Sequence, residues 1–195
     1  MTKFSEKQHK IVEEAARDHI FEAVIQVTQE AVVSDFTMQQ IADSAGMAIG
    51  SLYKYFKNKD DLLAYVFTRL VDMYRDRENV IAQGEGAVCE RLEQMATTSF
   101  QFSREHLIFF RIFNRSGLRC QLSEEVKQQN INEDVEIIKK LMAEGIAQGV
   151  LRQMDPLLMA RMFFSCTIGF FSAKHIFNDC TPEEVSQGLI GLFKA

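Results

Sequence analysis

The chain has 195 residues, a hydrophobic share of 47%, two prolines, four cysteines and a net charge of −5 at pH 7. That apolar share is ample for a core and, with no low-complexity tract, excludes a disordered chain; the acidic balance excludes a surface that is basic throughout, so any affinity for nucleic acid has to be local. The opening MTKFSEKQHK lacks the apolar centre of a signal peptide and no apolar run is long enough to span a bilayer, so the expectation is a cytoplasmic protein without a membrane partner.

Residues 5 to about 32 place Ile11, Ala15, Ala16, Ile20, Val24, Val27 and Ala31 on one helical face, with Ser5 and Gln8 as a capping box at its start. Thr37 to Lys59 then reads TMQQIADSAGMAIGSLYKYFKNK. Thr37 and Gln40 form a second capping box, with Phe36 and Ile41 as a hydrophobic staple. Ile41, Ala42 and Ala45 give a short helix a small apolar face, and Gly46 follows where the chain has to turn sharply. Leu52 and Phe56, four apart, pack a second short helix back on the first, leaving Gly50, Ser51, Lys54 and Tyr55 outward. Two helices joined by a glycine turn make a helix-turn-helix, whose second helix fits the major groove of DNA. From Gly46 to Lys59 there are three lysines and no acid, so the positive field is concentrated there.

The stretch IADSAGMAIGSLYKYFKNKDDLL resembles the DNA-binding signature of the TetR family of transcriptional regulators, roughly IA..AGVS.GTLY.YF..K..L, and RDHIFEAVIQ is similar to the helix that precedes it. The chain departs from that pattern at three places. Val33, Ser34 and Asp35 stand where a glycine is common, Ala48 replaces the usual Ser, and Ile49 replaces a polar residue. Ala48 costs the second helix a side-chain cap, worth about 0.5–2 kcal/mol. Ile49 has two readings, packing beside Leu52 and Phe56 or contact with a thymine methyl. The resemblance implies a pseudo-palindromic operator bound by Thr37, Met38, Ala48, Ile49, Gly50, Ser51, Tyr53, Lys54, Tyr55, Lys57 and Lys59, with Lys59 and the start of its helix as a phosphate site.

Asn58 caps a further helix that carries Leu62, Val66, Leu70, Val71 and Tyr74 and ends at the Gly84 to Gly86 loop. The expected domains are 1–60, a three-helix DNA-binding head, and 61–195, a helical ligand-binding and dimerisation domain, with no flexible linker between them. Helices are expected over Ala87 to Ser103, through HLIFFRIFN, and from Ser123 towards Gly145 and Gly149. Asp155 with Pro156 opens another helix that runs to about Phe177, and Thr181, Pro182 and Glu184 open the last. Arg161 interrupts the apolar run of the former. The fold class is all-α, about nine helices.

The resemblance implies that the last two helices pair across a homodimer, and Ala160, Ser165, Gly169, Ala173, Gly188 and Gly191 are small enough for close approach. It also implies a small-molecule inducer held between the helices of the second domain. Met95, Phe100, Phe109, Phe113, Met142, Met162, Phe163 and Phe170 supply an adaptable apolar lining, which favours a lipophilic or aromatic ligand, with Arg111, Arg115 or Arg119 as a handle for an acidic one. Core packing explains most of these residues equally well. The expected function is therefore a ligand-responsive transcriptional regulator, a repressor as is usual in that family. The alternatives are a helical carrier or enzyme for a hydrophobic molecule with a vestigial helix-turn-helix, and a regulator that senses oxidation through a cysteine. Against an enzyme, the lone Glu6 to His9 pair lacks the second copy of a di-iron bundle, His19, His106 and His175 are scattered, and no nucleophile motif is present. No metal or cofactor is expected. Cys89, Cys120, Cys166 and Cys180 are widely spaced without a CxxC.

Overall fold

A computed structural model describes residues 3–30, 35–118, 124–172 and 180–195, the side chains of 3–6, 30, 124–130 and 170–172 excepted. Nine helices are present among these residues: α1 Lys3–Glu30, α2 Met38–Ser44, α3 Ile49–Tyr55, α4 Lys59–Gln83, α5 Val88–Glu105, α6 Leu107–Arg115, α7 Glu124–Ala147, α8 Pro156–Ser172 and α9 Pro182–Gly191. Local chemistry sets four of their starts. The Thr37–Gln40 and Thr181–Glu184 capping boxes are both formed. Asn58 Oδ1 accepts the Asp61 N–H at 2.8 Å, and Asp155 Oδ1 accepts the Leu157 N–H at 3.1 Å. The Ser123 opening and the last residues of the helix expected to reach Phe177 lie outside the described residues; Ser5, expected as a cap, falls within α1, which already begins at Lys3.

The chain divides into two compact units, Met1–Leu70 with His106–Gln121 and Val71–Glu105 with Leu122–Ala195. The first unit thus extends past the boundary expected near residue 60. Its core explains why: Leu62, Leu63, Val66 and Leu70 of α4 are buried, as are Phe109, Ile112 and Phe113 of α6, and the Phe67 and Phe113 rings stack at 4.2 Å. These residues supply apolar area that α1, α2 and α3 alone lack. Only the C-terminal half of the α1 stripe is used. Ile20, Phe21, Val24 and Ile25 are buried, whereas Ile11 is 56% exposed.

In the second unit α7 packs along α8, and α5 along α9. The core joins Leu92, Met95 and Phe100 of α5 to Ile138 and Met142 of α7, Met159 and Phe163 of α8, and Ile190 of α9. Gly149, at φ +71°, turns the chain after α7, and Leu151 then folds back on Gly145, where a Cβ would stand 2.5 Å from Leu151 Cδ1. Leu151 also bridges Lys194, with the Arg152 N–H donating to the Phe193 carbonyl at 3.0 Å. A polar cluster is buried in this unit. Tyr74 Oη donates to Glu78 Oε1, and Arg75 pairs with Asp134 at 2.8 Å and Glu133 at 2.9 Å. Burial, ahead of all other influences, pushes the Glu78 carboxyl up to about 8 and raises Asp134 above the usual carboxylate range.

Candidate nucleic-acid interface

The α2–turn–α3 segment is built from its own residues. Thr37 Oγ1 accepts the Gln40 N–H at 3.2 Å, and Gln40 Oε1 accepts the Thr37 N–H at 2.8 Å, so two of the donors left over at a helix start are satisfied. Gly46 takes φ +61°, a conformation that costs any other L-residue roughly 1–2 kcal/mol. The carbonyl of Ala45 just before it lies 2.8 Å from His19 Nε2, which fastens the turn to α1. Leu52 and Phe56 are fully buried. The Arg17 guanidinium lies over the Phe56 ring at 4.9 Å, and the Tyr65 ring is 5.1 Å away, so the last turn of α3 is gripped from both α1 and α4. Ala48 caps α3 with no side-chain hydrogen bond, as its residue type requires.

The residues expected at DNA then sort themselves. Thr37, Ala48, Gly50, Tyr53, Lys54 and Lys57 are exposed, and Ile49, Ser51 and Tyr55 are half-buried. A Cβ built on Gly50 meets nothing within 4 Å, so the backbone there is open to a close approach. Met38 is a correction. It is 8% exposed and lies with Ile41 and Ala42 on the buried face of α2, because positions three and four apart share a face.

Lys59 is the other departure. Its ammonium donates to the Asp35 carboxylate and, at 2.6 Å, to the Phe36 carbonyl, and it sits 4.7 Å from the centre of the Phe36 ring. Partial burial pushes the Asp35 carboxyl up. The hydrogen bonds from Lys59 and the Phe36 N–H, with the charges of Lys59 and Arg115, outweigh that effect and hold it below the usual carboxylate range. Asp35, Lys59, Asp60, Leu63, Ile112, Arg115 and Ser116 line a half-open cleft of about 480 Å³ in this unit. In the sequence Asp35 stands out only as part of a departure before the Thr37 cap; no periodicity links it to a lysine 24 positions on.

The expected ligand residues are divided between the two units. Phe109 and Phe113 are buried in the first unit, whereas Met95, Phe100, Met142 and Phe163 belong to the core of the second. Met162 is corrected: it is 45% exposed, turned outward because Met159 and Phe163 already define the buried face of α8. The Phe170 side chain is outside the described residues. Of the residues expected between subunits, Ser165, Gly169, Gly188 and Gly191 are exposed. Ala160 is corrected, being fully buried in the unit's own core beside Met159. Ala173 is outside the described residues. Leu158, Met162 and Ile168 add apolar surface at helical spacing to the exposed side of α8, and Leu192 does so just after α9. Cys166 and Cys180 are exposed and Cys89 half-buried. Among the described residues no three His, Cys, Asp or Glu side chains converge as a metal site requires, and no helix is long and apolar enough to cross a membrane.

An all-α chain whose first unit presents a helix-turn-helix with an exposed, acid-free second helix has the architecture of a DNA-binding regulator. Comparison with known proteins narrows this. The family model for bacterial regulatory proteins of the tetR family matches residues 20–66, from the buried half of α1 into α4. The fatty acid metabolism regulator protein of Bacillus subtilis (strain 168) is 27% identical over 165 residues, 82% of this chain and 83% of its own length. Two solved structures share the fold. A regulator of the TetR/AcrR family from Thermobifida fusca gives a TM-score of 0.69 at 24% identity, covering 90% of this chain and 94% of its own. AibR in complex with isovaleryl coenzyme A and operator DNA gives 0.64 at 19%, covering 91% and 97%. Residues 20–66 thus carry the DNA-binding domain of the tetR family, and the chain as a whole is similar to transcriptional regulators of that family.

Proposed function

We propose that this regulator is a repressor that binds a pseudo-palindromic operator as a homodimer and is released by a ligand with a lipophilic acyl group, of which an acyl-coenzyme A thioester is the favoured form. The observation that carries the DNA half is the outer side of α3 and the residues just beyond it, where Ala48, Gly50, Tyr53, Lys54 and Lys57 are exposed and no acid is interspersed. Lys54, Lys57, Ser51, Tyr53 and Tyr55 act chiefly on the phosphates, while Ala48, Ile49 and Gly50 meet the base edges. The dimer half is supported by the exposed apolar stripe of α8, Leu158, Met162, Ser165, Ile168 and Gly169, together with Gly188, Gly191 and Leu192.

The ligand class is supported by the name of the Bacillus subtilis relative and by the coenzyme A thioester bound to AibR. Here the acyl chain is received among Met95, Phe100, Met142 and Phe163, side chains that repack readily. Release requires the thioester to favour the geometry in which the two recognition helices no longer match the half-sites.

A gel shift on DNA upstream of the chain's own gene, run across a salt series, tests this. Lys54→Ala reduces the slope of log affinity against log salt by about one, at unchanged thermal stability. Addition of acyl-coenzyme A lowers the affinity at least tenfold, about 1.4 kcal/mol of coupling. Absence of any sequence-specific shift at low salt sinks the DNA half, and an affinity indifferent to every acyl-coenzyme A sinks the ligand half.

A further inference from the structure

Lys59 is the first residue of α4 and closes the lysine-rich run, a position that invites a phosphate. Its surroundings in the first unit say otherwise. Lys54 and Lys57 are exposed and, among the described residues, make no intramolecular ion pair, so their charges face solvent. Lys59 is only 28% exposed along its side chain and is held from within by three groups on two consecutive residues: the Asp35 carboxylate, the Phe36 carbonyl and the face of the Phe36 ring. An ammonium has three donors, and two are already used. The Asp35 carboxylate also accepts the Phe36 N–H at 2.9 Å, so Asp35, Phe36 and Lys59 form one closed cluster.

The position of this cluster gives it consequence. Phe36 is 2% exposed, and the next residue is Thr37, the cap of α2. Lys59 lies four residues beyond Tyr55, the last of α3. The cluster therefore joins the chain just before α2 to the chain just after α3, and the helix-turn-helix lies between the two pinned points. We propose that Lys59 is a positioning residue, which with Asp35 and Phe36 clasps the start of α2 to the start of α4 and thereby fixes the angle at which α3 is presented to DNA, rather than a phosphate ligand. This rests on the DNA-binding function proposed above and assigns within it a role to Asp35, an acid that a phosphate-binding surface would otherwise exclude.

The two roles of Lys59 predict opposite behaviour of Asp35. If the lysine serves a phosphate, Asp35 competes for it, and Asp35→Asn strengthens binding. If the lysine serves the clasp, Asp35→Asn weakens it. The test uses the full chain and a duplex that the wild type selects from a random-sequence pool, with affinity measured across a salt series for Asp35→Asn, Lys59→Met, their double variant, Lys59→Arg and Lys54→Ala. The expected result is a loss of roughly tenfold for each of the first two, a double variant no weaker than either, an unchanged salt slope and partial recovery with Lys59→Arg. Lys54→Ala provides the contrast, its slope falling by about one. A slope reduced by about one in Lys59→Met, with Asp35→Asn unaffected or tighter, overturns the proposal. Hydrogen exchange of the α2 and α3 amides without DNA gives a second measurement. Faster exchange in both Asp35→Asn and Lys59→Met, and not in Lys54→Ala, supports the clasp, and equal protection in all variants overturns it. If the wild type selects no duplex, the DNA-binding proposal itself fails, while the exchange experiment still decides the clasp.

Discussion

The helix-turn-helix of the first unit and the core of the second are both all-helical, yet they are specified by different kinds of information. Between Thr37 and Phe56 the helix start, the turn and the inward face are set by near neighbours: a capping box between Thr37 and Gln40, a left-handed Gly46, and a Leu52–Phe56 pair one turn apart. In the second unit Met95, Met142, Phe163 and Ile190 come from four helices, and nothing local decides which of them touch. A segment of the first kind has an outward face that follows from the inward one, so its function can be read from it. A core of the second kind leaves open whether a buried phenylalanine fills space or borders a space that something else fills.

Phe163 is where that question has the largest expected effect. It is 1% exposed, and Phe163→Ala should lower the unfolding free energy by about 3–5 kcal/mol if its surroundings are fully packed. Urea denaturation measures this. A loss under about 1 kcal/mol would instead mark Phe163 as bordering open volume, which is the behaviour the acyl-chain proposal favours.

The second test uses pH. The Glu78 carboxyl is pushed up to about 8 by burial, from an ordinary value of 4.5. The folded chain therefore holds this proton where the unfolded chain releases it. The contribution is fully present below pH 4.5, declines as pH rises through the window between 4.5 and 8, and is flat above it. At pH 7 the loss amounts to about 3 kcal/mol at most. Glu78→Gln keeps an acceptor for Tyr74 and removes the titration, so its thermal midpoint should fall less between pH 5 and 8 than that of the wild type. Identical pH profiles would show that Glu78 stays ionised and solvated.

These contrasts account for what the sequence made legible. The caps at Thr37, Asn58, Asp155 and Thr181, the turn at Gly46 and the break after Gln83 were readable because each rests on contacts a few residues apart. The exposed side of α3 followed from them. Less was readable wherever a partner was distant. Ala160 and Met162 are two positions apart on α8, and only tertiary packing sends the first inward and the second outward. Asp35 meets Lys59, and α6 joins the first unit, through contacts that leave no periodic trace. Met38 is a local miss: its spacing to Ile41 and Ala42 already placed it on the buried face, and resemblance to a DNA-binding signature overrode that arithmetic.

Gly145 carries the third test, in the second unit. A Cβ there would lie 2.5 and 2.7 Å from two atoms of the buried Leu151, so Gly145→Ala should cost about 1–3 kcal/mol by overpacking. Combining it with Leu151→Ala should cost less than the sum of the single changes, since the shortened side chain makes room. Additivity would indicate that the chain beyond Gly149 moves away as a body.

Gly50 is the counterpart in the first unit, with the smallest effect and the sharpest separation of stability from function. It is exposed on α3, and an added Cβ meets nothing within 4 Å, so the folded chain has no steric objection to alanine. Gly50→Ala should stabilise the unit by up to about 1 kcal/mol, because alanine has the higher helix propensity and restricts the unfolded chain. If glycine is present so that the helix backbone can approach the duplex closely, the same methyl weakens DNA binding severalfold while the thermal midpoint rises. At Phe163 or Gly145 a substitution has to disturb packing before it can disturb anything else. At Gly50 a more stable protein that binds DNA less well can arise only if the empty space over that glycine is occupied in the complex, so a variant improved in both respects would remove Gly50 from the interface and shift the base contacts to Ala48 and Tyr53.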